Sequence, residues 1–114
     1  MAFNEKTTAF YKYVDEKEDI VYEGSLPQSA VDQYDIYMAM MAYWESKTPT
    51  TWDVLREYIL NNTKVYTKKG NIPLDIKKDL DFRQVRTLVT KYMEMASNFF
   101  TSPQKQNITE NEKI

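Results

Sequence analysis

The stretch that most constrains this fold is residues 30–44, AVDQYDIYMAMMAYW, which is apolar around most of its circumference when it is helical. On a helical wheel at about 100° per residue, an arc of roughly 200° is filled by apolar side chains. An arc of that width needs two or three packing partners, so the sequence predicts a central, most buried helix over about residues 27–47. The members of the arc are Ala30, Val31, Tyr34, Tyr37, Met38, Met40, Met41, Ala42 and Trp44.

The N-terminal segment is predicted to form a first helix over residues 4–17, with Asn4 as its N-cap. Its apolar residues have the spacing of one helical face and are Ala9, Phe10, Tyr13 and Val14. Residues 20–23, which are apolar and β-branched, are predicted to form an extended connector that covers part of the core. Together these segments lead into the central helix.

The second half of the chain predicts further helices. A capping pattern of Thr50 with Asp53 begins a helix that ends near residue 61, and Asp81 with Gln84 begins another with a narrow apolar stripe. Residues 74–80 form a short helical piece after Pro73. Between them, residues 62–73 have no helical period, which predicts one irregular or short β segment with a turn at residues 68–71.

These elements predict an all-α fold with four to five helices around the central helix. Residues 1–102 form one helical domain, since the chain is long enough for a single core. Residues 103–114 are polar, lack a period and predict a disordered tail.

The composition argues against an enzyme. The chain has no Cys and no His, so thiolate chemistry, the usual general base and the commonest metal ligands are absent. Its two glycines fit no nucleotide-binding pattern, and we expect no cofactor and no small-molecule substrate. Two carboxylate pairs at helical spacing offer a nominal Mg²⁺ alternative, but capping and solubilising roles explain Asp32 with Asp35 and Asp75 with Asp79 better.

No apolar run approaches the length of a transmembrane helix, and the first 17 residues lack the apolar block of a signal peptide. We therefore expect no membrane association and a cytoplasmic protein. The excess of Lys, Asn, Ile and Tyr over Arg, Ala and Gly is typical of AT-rich coding sequences, which include many phages and plasmids.

Charge is unevenly distributed along the chain. Residues 1–60 carry 11 acids against 5 bases, a net of −6, and residues 61–102 carry 4 acids against 8 bases, a net of +4. The basic half suggests a nucleic-acid contact in which cations and one aromatic ring follow a phosphate backbone. The residues for this interpretation are Lys64, Tyr66, Lys68, Lys69, Lys77, Lys78, Arg83, Arg86 and Lys91.

The aromatic content favours a protein interface. Nine Tyr, five Phe and two Trp exceed what one small core buries, and Tyr and Trp are enriched where proteins meet. The candidates for an exposed contact patch are Ile36 and Tyr43, on the far side of the central helix, and Phe99 and Phe100, at the end of the last helix. The alternative is a tyrosine-rich core with hydroxyl groups that reach the surface.

The sequence thus supports a non-enzymatic helical protein that acts through a protein partner or self-association, as an accessory component of a phage or plasmid system. The alternative hypothesis is a nucleic-acid-binding regulator that uses the basic segment 64–91.

Overall fold

The prediction of an all-α helical bundle is wrong, because three strands join the helices in a mixed α/β fold. The computed structural model describes residues 7–101. The elements in chain order are β1 (Thr7–Asp15), β2 (Ile20–Pro27), α1 (Ala30–Glu45), α2 (Pro49–Asn61), β3 (Thr63–Thr67), α3 (Ile76–Asp79) and α4 (Phe82–Thr101). The predicted cap Asn4 and the predicted tail at residues 103–114 lie outside the described residues.

The strands form one antiparallel sheet in the order β1-β2-β3. Because side chains alternate along a strand, one face of the sheet carries Tyr11, Tyr22 and Val65 into the core. The opposite face carries the cross-strand neighbours Lys12, Glu23 and Lys64. The sheet therefore has one face for the helices and an opposite face on which charged side chains accompany the apolar residues Val14, Val21 and Tyr66.

A β-bulge explains why β1 was mistaken for a helix. The pairing register with β2 shifts between Ala9 and Tyr11, so Phe10 is an additional residue in the strand. As a result both Phe10 and Tyr11 pack on the core, and the ring of Phe10 lies 5.5 Å from that of Tyr92. With Tyr13 also packed there, the inward residues lose strict alternation and imitate a helical face.

The predicted connector at residues 20–23 is extended, as expected, but it is the start of the central strand. In β2, Ile20, Tyr22 and Leu26 are buried in the core, while Val21 is buried on the opposite face. A continuous apolar and β-branched run is typical of a strand that is buried on both faces.

Each long helix makes its most extensive sheet contacts with one strand: α1 with β2, α2 with β3 and α4 with β1. The prediction of one central, most buried helix is therefore wrong, because the three helices share the core nearly equally. Their buried residues are Ile36, Ala39 and Met40 of α1, Leu55 and Ile59 of α2, and Leu88, Tyr92 and Ala96 of α4.

The predictions of α2 and α4 as helices are confirmed. At the start of α4 the side chain of Gln84 accepts from the Asp81 backbone N–H, and Asp81 accepts from that of Gln84, which is the predicted capping box. The cap of α2 differs from the prediction, because Thr48 and Thr51 form it in place of Thr50 and Asp53.

The predicted short β segment within residues 62–73 is confirmed as β3. The following residues turn back over its outer edge, where the Thr67 N–H donates to the Ile72 carbonyl and the Leu74 N–H donates to the Val65 carbonyl. This return covers the edge of β3, which would otherwise expose unpaired backbone groups. Within residues 7–101 no helix is both long enough and apolar enough to cross a membrane.

Candidate functional site

The most unusual surface of the described chain is the outward side of α1. Among residues 7–101, eight large hydrophobic residues are exposed, and five of them lie on this one helix. Their exposed fractions run from 41% at Met41 to 71% at Val31. We define the α1 surface as these five residues: Val31, Tyr34, Met38, Met41 and Trp44.

The way in which α1 docks explains why these side chains are exposed. The helix packs inward through Ile36, Ala39, Met40 and Tyr43, which have the i, i+3, i+4, i+7 spacing of a single stripe. A single stripe covers only a narrow part of the helix circumference. Met40 is the one residue of the predicted 200° arc that lies in this stripe. Most of the other residues of the arc therefore face away from the core.

The α1 surface has its own regular spacing. Val31, Tyr34, Met38 and Met41 follow one another at intervals of three, four and three residues. This is the spacing of the seam by which one helix packs along another. At 1.5 Å per residue the seam runs for about 15 Å along α1.

A groove adjoins the N-terminal half of this seam. Its volume is about 410 Å³, and it lies between α1 and the last residues of α4. Aromatic rings shape it, since Tyr37 lies 5.6 Å from Tyr34 and 5.5 Å from Phe100 between ring centroids. The residues that line it are Ala30, Gln33, Tyr34, Tyr37, Phe100 and Thr101. The groove widens the apolar strip beyond α1 itself.

The charges of α1 are all negative. Asp32, Asp35 and Glu45 are exposed, and the helix contains no Lys or Arg. Within residues 7–101 none of these three carboxylates takes part in an ion pair. The nearest cation in sequence, Lys47, lies over the ring of Tyr43 at 5.9 Å. Asp35 and Glu45 thus border the α1 surface with negative charge that has no ion-pair partner among residues 7–101.

The structure places the four predicted interface residues differently. Ile36 is fully buried, so its expected position on the surface is wrong, because it belongs to the stripe that docks α1. Tyr43 is half-buried against Trp52, and Phe99 is half-buried with its ring 6.3 Å from that of Phe10. Phe100 lines the groove beside the α1 surface.

The helical wheel places the residues of the α1 surface in the core, and this prediction is wrong because all five are exposed. A signal for the correct orientation was present in the sequence. Ile36, Ala39, Met40 and Tyr43 form a complete docking stripe, and the seam from Val31 to Met41 forms a second stripe. When the domain packs against only one of two apolar stripes on a helix, the other stripe remains exposed.

The residues of the predicted basic segment are spread over four elements. Lys64 and Tyr66 lie on β3, Lys68 and Lys69 in the turn after it, Lys77 and Lys78 on α3, and Arg83, Arg86 and Lys91 on α4. Three of these cations lie over aromatic rings. Lys91 lies 4.6 Å from the ring of Tyr13, Arg86 lies 5.8 Å from that of Phe82, and Lys64 lies 6.0 Å from that of Tyr66.

The acidic turn between β1 and β2 neutralises part of this basic segment. Arg83 pairs with Glu18 at 3.2 Å, and Lys68 pairs with Glu16 at 3.7 Å. The hydrogen bond to Glu18 and its charge raise the pKa of Arg83. The fold therefore brings the acidic turn between β1 and β2 against part of the basic segment.

The carboxylate pair on α3 has a local role. Asp75 accepts hydrogen bonds from the backbone N–H groups of Lys77 and Lys78, and Asp79 accepts one from the N–H of Asp75. These are capping contacts. In the described part of the chain no three acidic side chains come close enough to hold a metal ion.

A second cleft of about 310 Å³ lies between α2 and α4. Its walls are mainly apolar and include Trp52, Ile59, Val85 and Val89. Ligand sites combine apolar walls with a few convergent polar groups that fix the ligand. The cations at this cleft are Arg56, which is paired with Asp53 at 3.1 Å, and Lys77 on the exposed face of α3. The cleft therefore presents few polar groups that could fix the position of a bound ligand.

Comparison with known proteins adds no relative: no protein-family model, curated protein sequence or solved structure matches the chain.

Proposed function

We propose that this chain is a non-catalytic protein-binding domain whose contact surface is the α1 surface. The observation that carries the proposal is the concentration of exposed apolar side chains on one helix that already has a complete docking stripe. Large apolar patches on a folded monomer are usually sites of interaction.

The size of the patch supports a specific contact. The exposed fractions of its five side chains correspond to roughly 500 Å² of mostly apolar surface, given about 150–250 Å² per large side chain. A standard protein interface buries about 800 Å² on each partner. The groove at Tyr37 and Phe100 adjoins the patch and adds to the area that one partner covers.

The chemistry of the patch also fits a protein contact. Tyr, Trp and Met are enriched at the centres of interfaces, where charged residues are depleted. On α1 the carboxylates of Asp35 and Glu45 border the apolar seam. An apolar centre with a polar border is the usual arrangement of a protein interface.

Photo-crosslinking in the native host cell tests the proposal. A photoreactive phenylalanine analogue replaces Met38 at the centre of the α1 surface, and in a matched control it replaces Ile72, which is 58% exposed on a separate loop. We expect the Met38 position to give discrete crosslinked products that mass spectrometry assigns to a protein partner. Crosslinks no more abundant or specific than those from the Ile72 position would contradict the proposal.

A further inference from the structure

We infer that the partner of the α1 surface is an amphipathic helix of another protein whose apolar stripe is flanked by Lys or Arg. This inference rests on the proposed function and names the chemistry of the occupant. Two independent features of the surface support it: the spacing of the seam and the sign of its border.

The spacing of the seam favours a helix as the partner that covers it. Side chains at intervals of three and four residues leave regular gaps along α1, into which side chains of a second helix with the same spacing fit. A seam of about 15 Å corresponds to about three turns of a partner helix. The groove beside Tyr34 and Tyr37 provides space for one large side chain of such a partner, because Phe100 forms its opposite wall.

The negative charges beside the seam favour a basic partner. Residues 30–61, which include α1 and α2, carry five acids and two bases, a net of −3. One of the two bases, Arg56, is paired with Asp53. The carboxylates at the edge of the seam, Asp35 and Glu45, have no ion-pair partner within the described residues. Lys or Arg beside the apolar stripe of a partner would supply the missing charges.

The same charges disfavour a second copy of this chain. Two α1 helices packed seam to seam would bring Asp35 and Glu45 from each copy to one interface. Neither helix would contribute a Lys or an Arg to offset them. Like charges brought together at an interface oppose association, so the acidic border favours a different, basic chain.

A displayed helix library tests the inference. Each helix carries a fixed stripe of Leu and Met at the seam spacing, and its flanking positions are randomised among Lys, Glu and Gln. Selection is carried out on the wild type, on the charge-reversed variant Asp35→Lys/Glu45→Lys, and on Met38→Glu as a control with a disrupted seam. All three substituted positions are exposed, so we expect the variants to retain the fold.

We expect Lys to be enriched at the flanking positions on the wild type and Glu on the charge-reversed variant. Met38→Glu should retain far fewer helices, because its carboxylate faces the apolar stripe of the library. A synthetic helix with Lys flanks should bind the wild type about tenfold more tightly than its Glu-flanked counterpart.

Two results would overturn the inference and leave the proposed function intact. One is selection of helices without a preference at the flanking positions. The other is failure to select any helix while the Met38 crosslinks identify a non-helical partner or a second copy. Absence of specific Met38 crosslinks would instead contradict the proposed function itself, and the inference would fail with it.

Discussion

Two buried tyrosines show how single hydroxyl groups affect this core differently. Tyr92 donates to the carbonyl oxygen of Ser25 at 2.8 Å, whereas the buried hydroxyl of Tyr11 has no partner within residues 7–101. We expect Tyr92→Phe to lower the free energy of unfolding by about 1 kcal/mol, because a buried carbonyl loses its donor. Tyr11→Phe should leave it unchanged or raise it. Urea denaturation measures both, and equal losses would contradict the assignment.

The buried tyrosines also link stability to alkaline pH. Burial raises the pKa of Tyr22 to about 12, and the carboxylates of Asp15 and Glu18 add to the shift. Burial raises the pKa of Tyr92 as well. Since an unfolded tyrosine releases its proton near pH 10 while the folded chain retains it, high pH favours the unfolded state.

We therefore expect the free energy of unfolding to be insensitive to tyrosine ionisation below about pH 10 and to fall from there through about pH 12. Urea denaturation at a series of pH values measures this profile. Tyr22→Phe should make the fall less steep, because one of the shifted groups is removed. A profile that stays level above pH 10 would contradict the burial of these rings.

Gly24 is required by the position of a neighbouring ring. A Cβ atom at this residue would overlap the ring of Tyr11, its cross-strand partner. We expect Gly24→Ala to cost about 1–3 kcal/mol of stability, as overpacking in a core does. In a Tyr11→Leu background the same substitution should cost less, because the overlapping ring is absent. Equal costs in the two backgrounds, measured by urea denaturation, would show that the ring is not the cause.

At the scale of elements, the sequence predicted the parts whose signals are local. The capping box of Asp81 and Gln84 and the narrow stripe through Leu88, Tyr92 and Ala96 define α4 without reference to the rest of the chain. The turn at residues 68–71 and the strand before it were likewise predictable from composition and the lack of helical period. These features depend on neighbours in the sequence.

The parts that the sequence did not predict depend on distant neighbours. The bulge at Phe10 is visible only in the pairing of β1 with β2, so the inward side chains of β1 imitated a helical face. The orientation of α1 depends on which of its two apolar stripes the sheet and α2 cover. The candidate site was missed for that reason, since the α1 surface had been assigned to the core.

The orientation of α1 has a direct mutational test. Met38 and Met40 are two residues apart and lie on opposite sides, with exposed fractions of 48% and 1%. We expect Met40→Ala to cost about 2–5 kcal/mol of stability, because it leaves a cavity in the core. Met38→Glu should change stability by no more than about 0.5 kcal/mol. A larger loss of stability for Met38→Glu than for Met40→Ala, in thermal or urea unfolding, would instead support the orientation that the wheel predicted.

For the whole molecule, the mixing of charges has a consequence for nucleic acids. The acidic turn pairs with Arg83 and Lys68, so the basic segment presents an interrupted positive surface. We expect short single- and double-stranded DNA to cause at most a weak mobility shift at low salt, which disappears at moderate salt. Glu16→Gln/Glu18→Gln, which frees the cations, should strengthen the shift. Binding that persists at moderate salt would instead support the nucleic-acid hypothesis.

In this fold α1 lies at the surface with an apolar side that residues 7–101 leave uncovered, and both proposals depend on that orientation. The most direct measurement is the rate of peroxide oxidation of its three methionines in the dilute purified protein, followed by mass spectrometry. Met40 provides the internal reference, because it is buried in the core. We predict fast oxidation of Met38 and Met41 and slow oxidation of Met40. Oxidation of Met38 and Met41 as slow as that of Met40 at every dilution would contradict the account, because the α1 surface would then be covered within the chain.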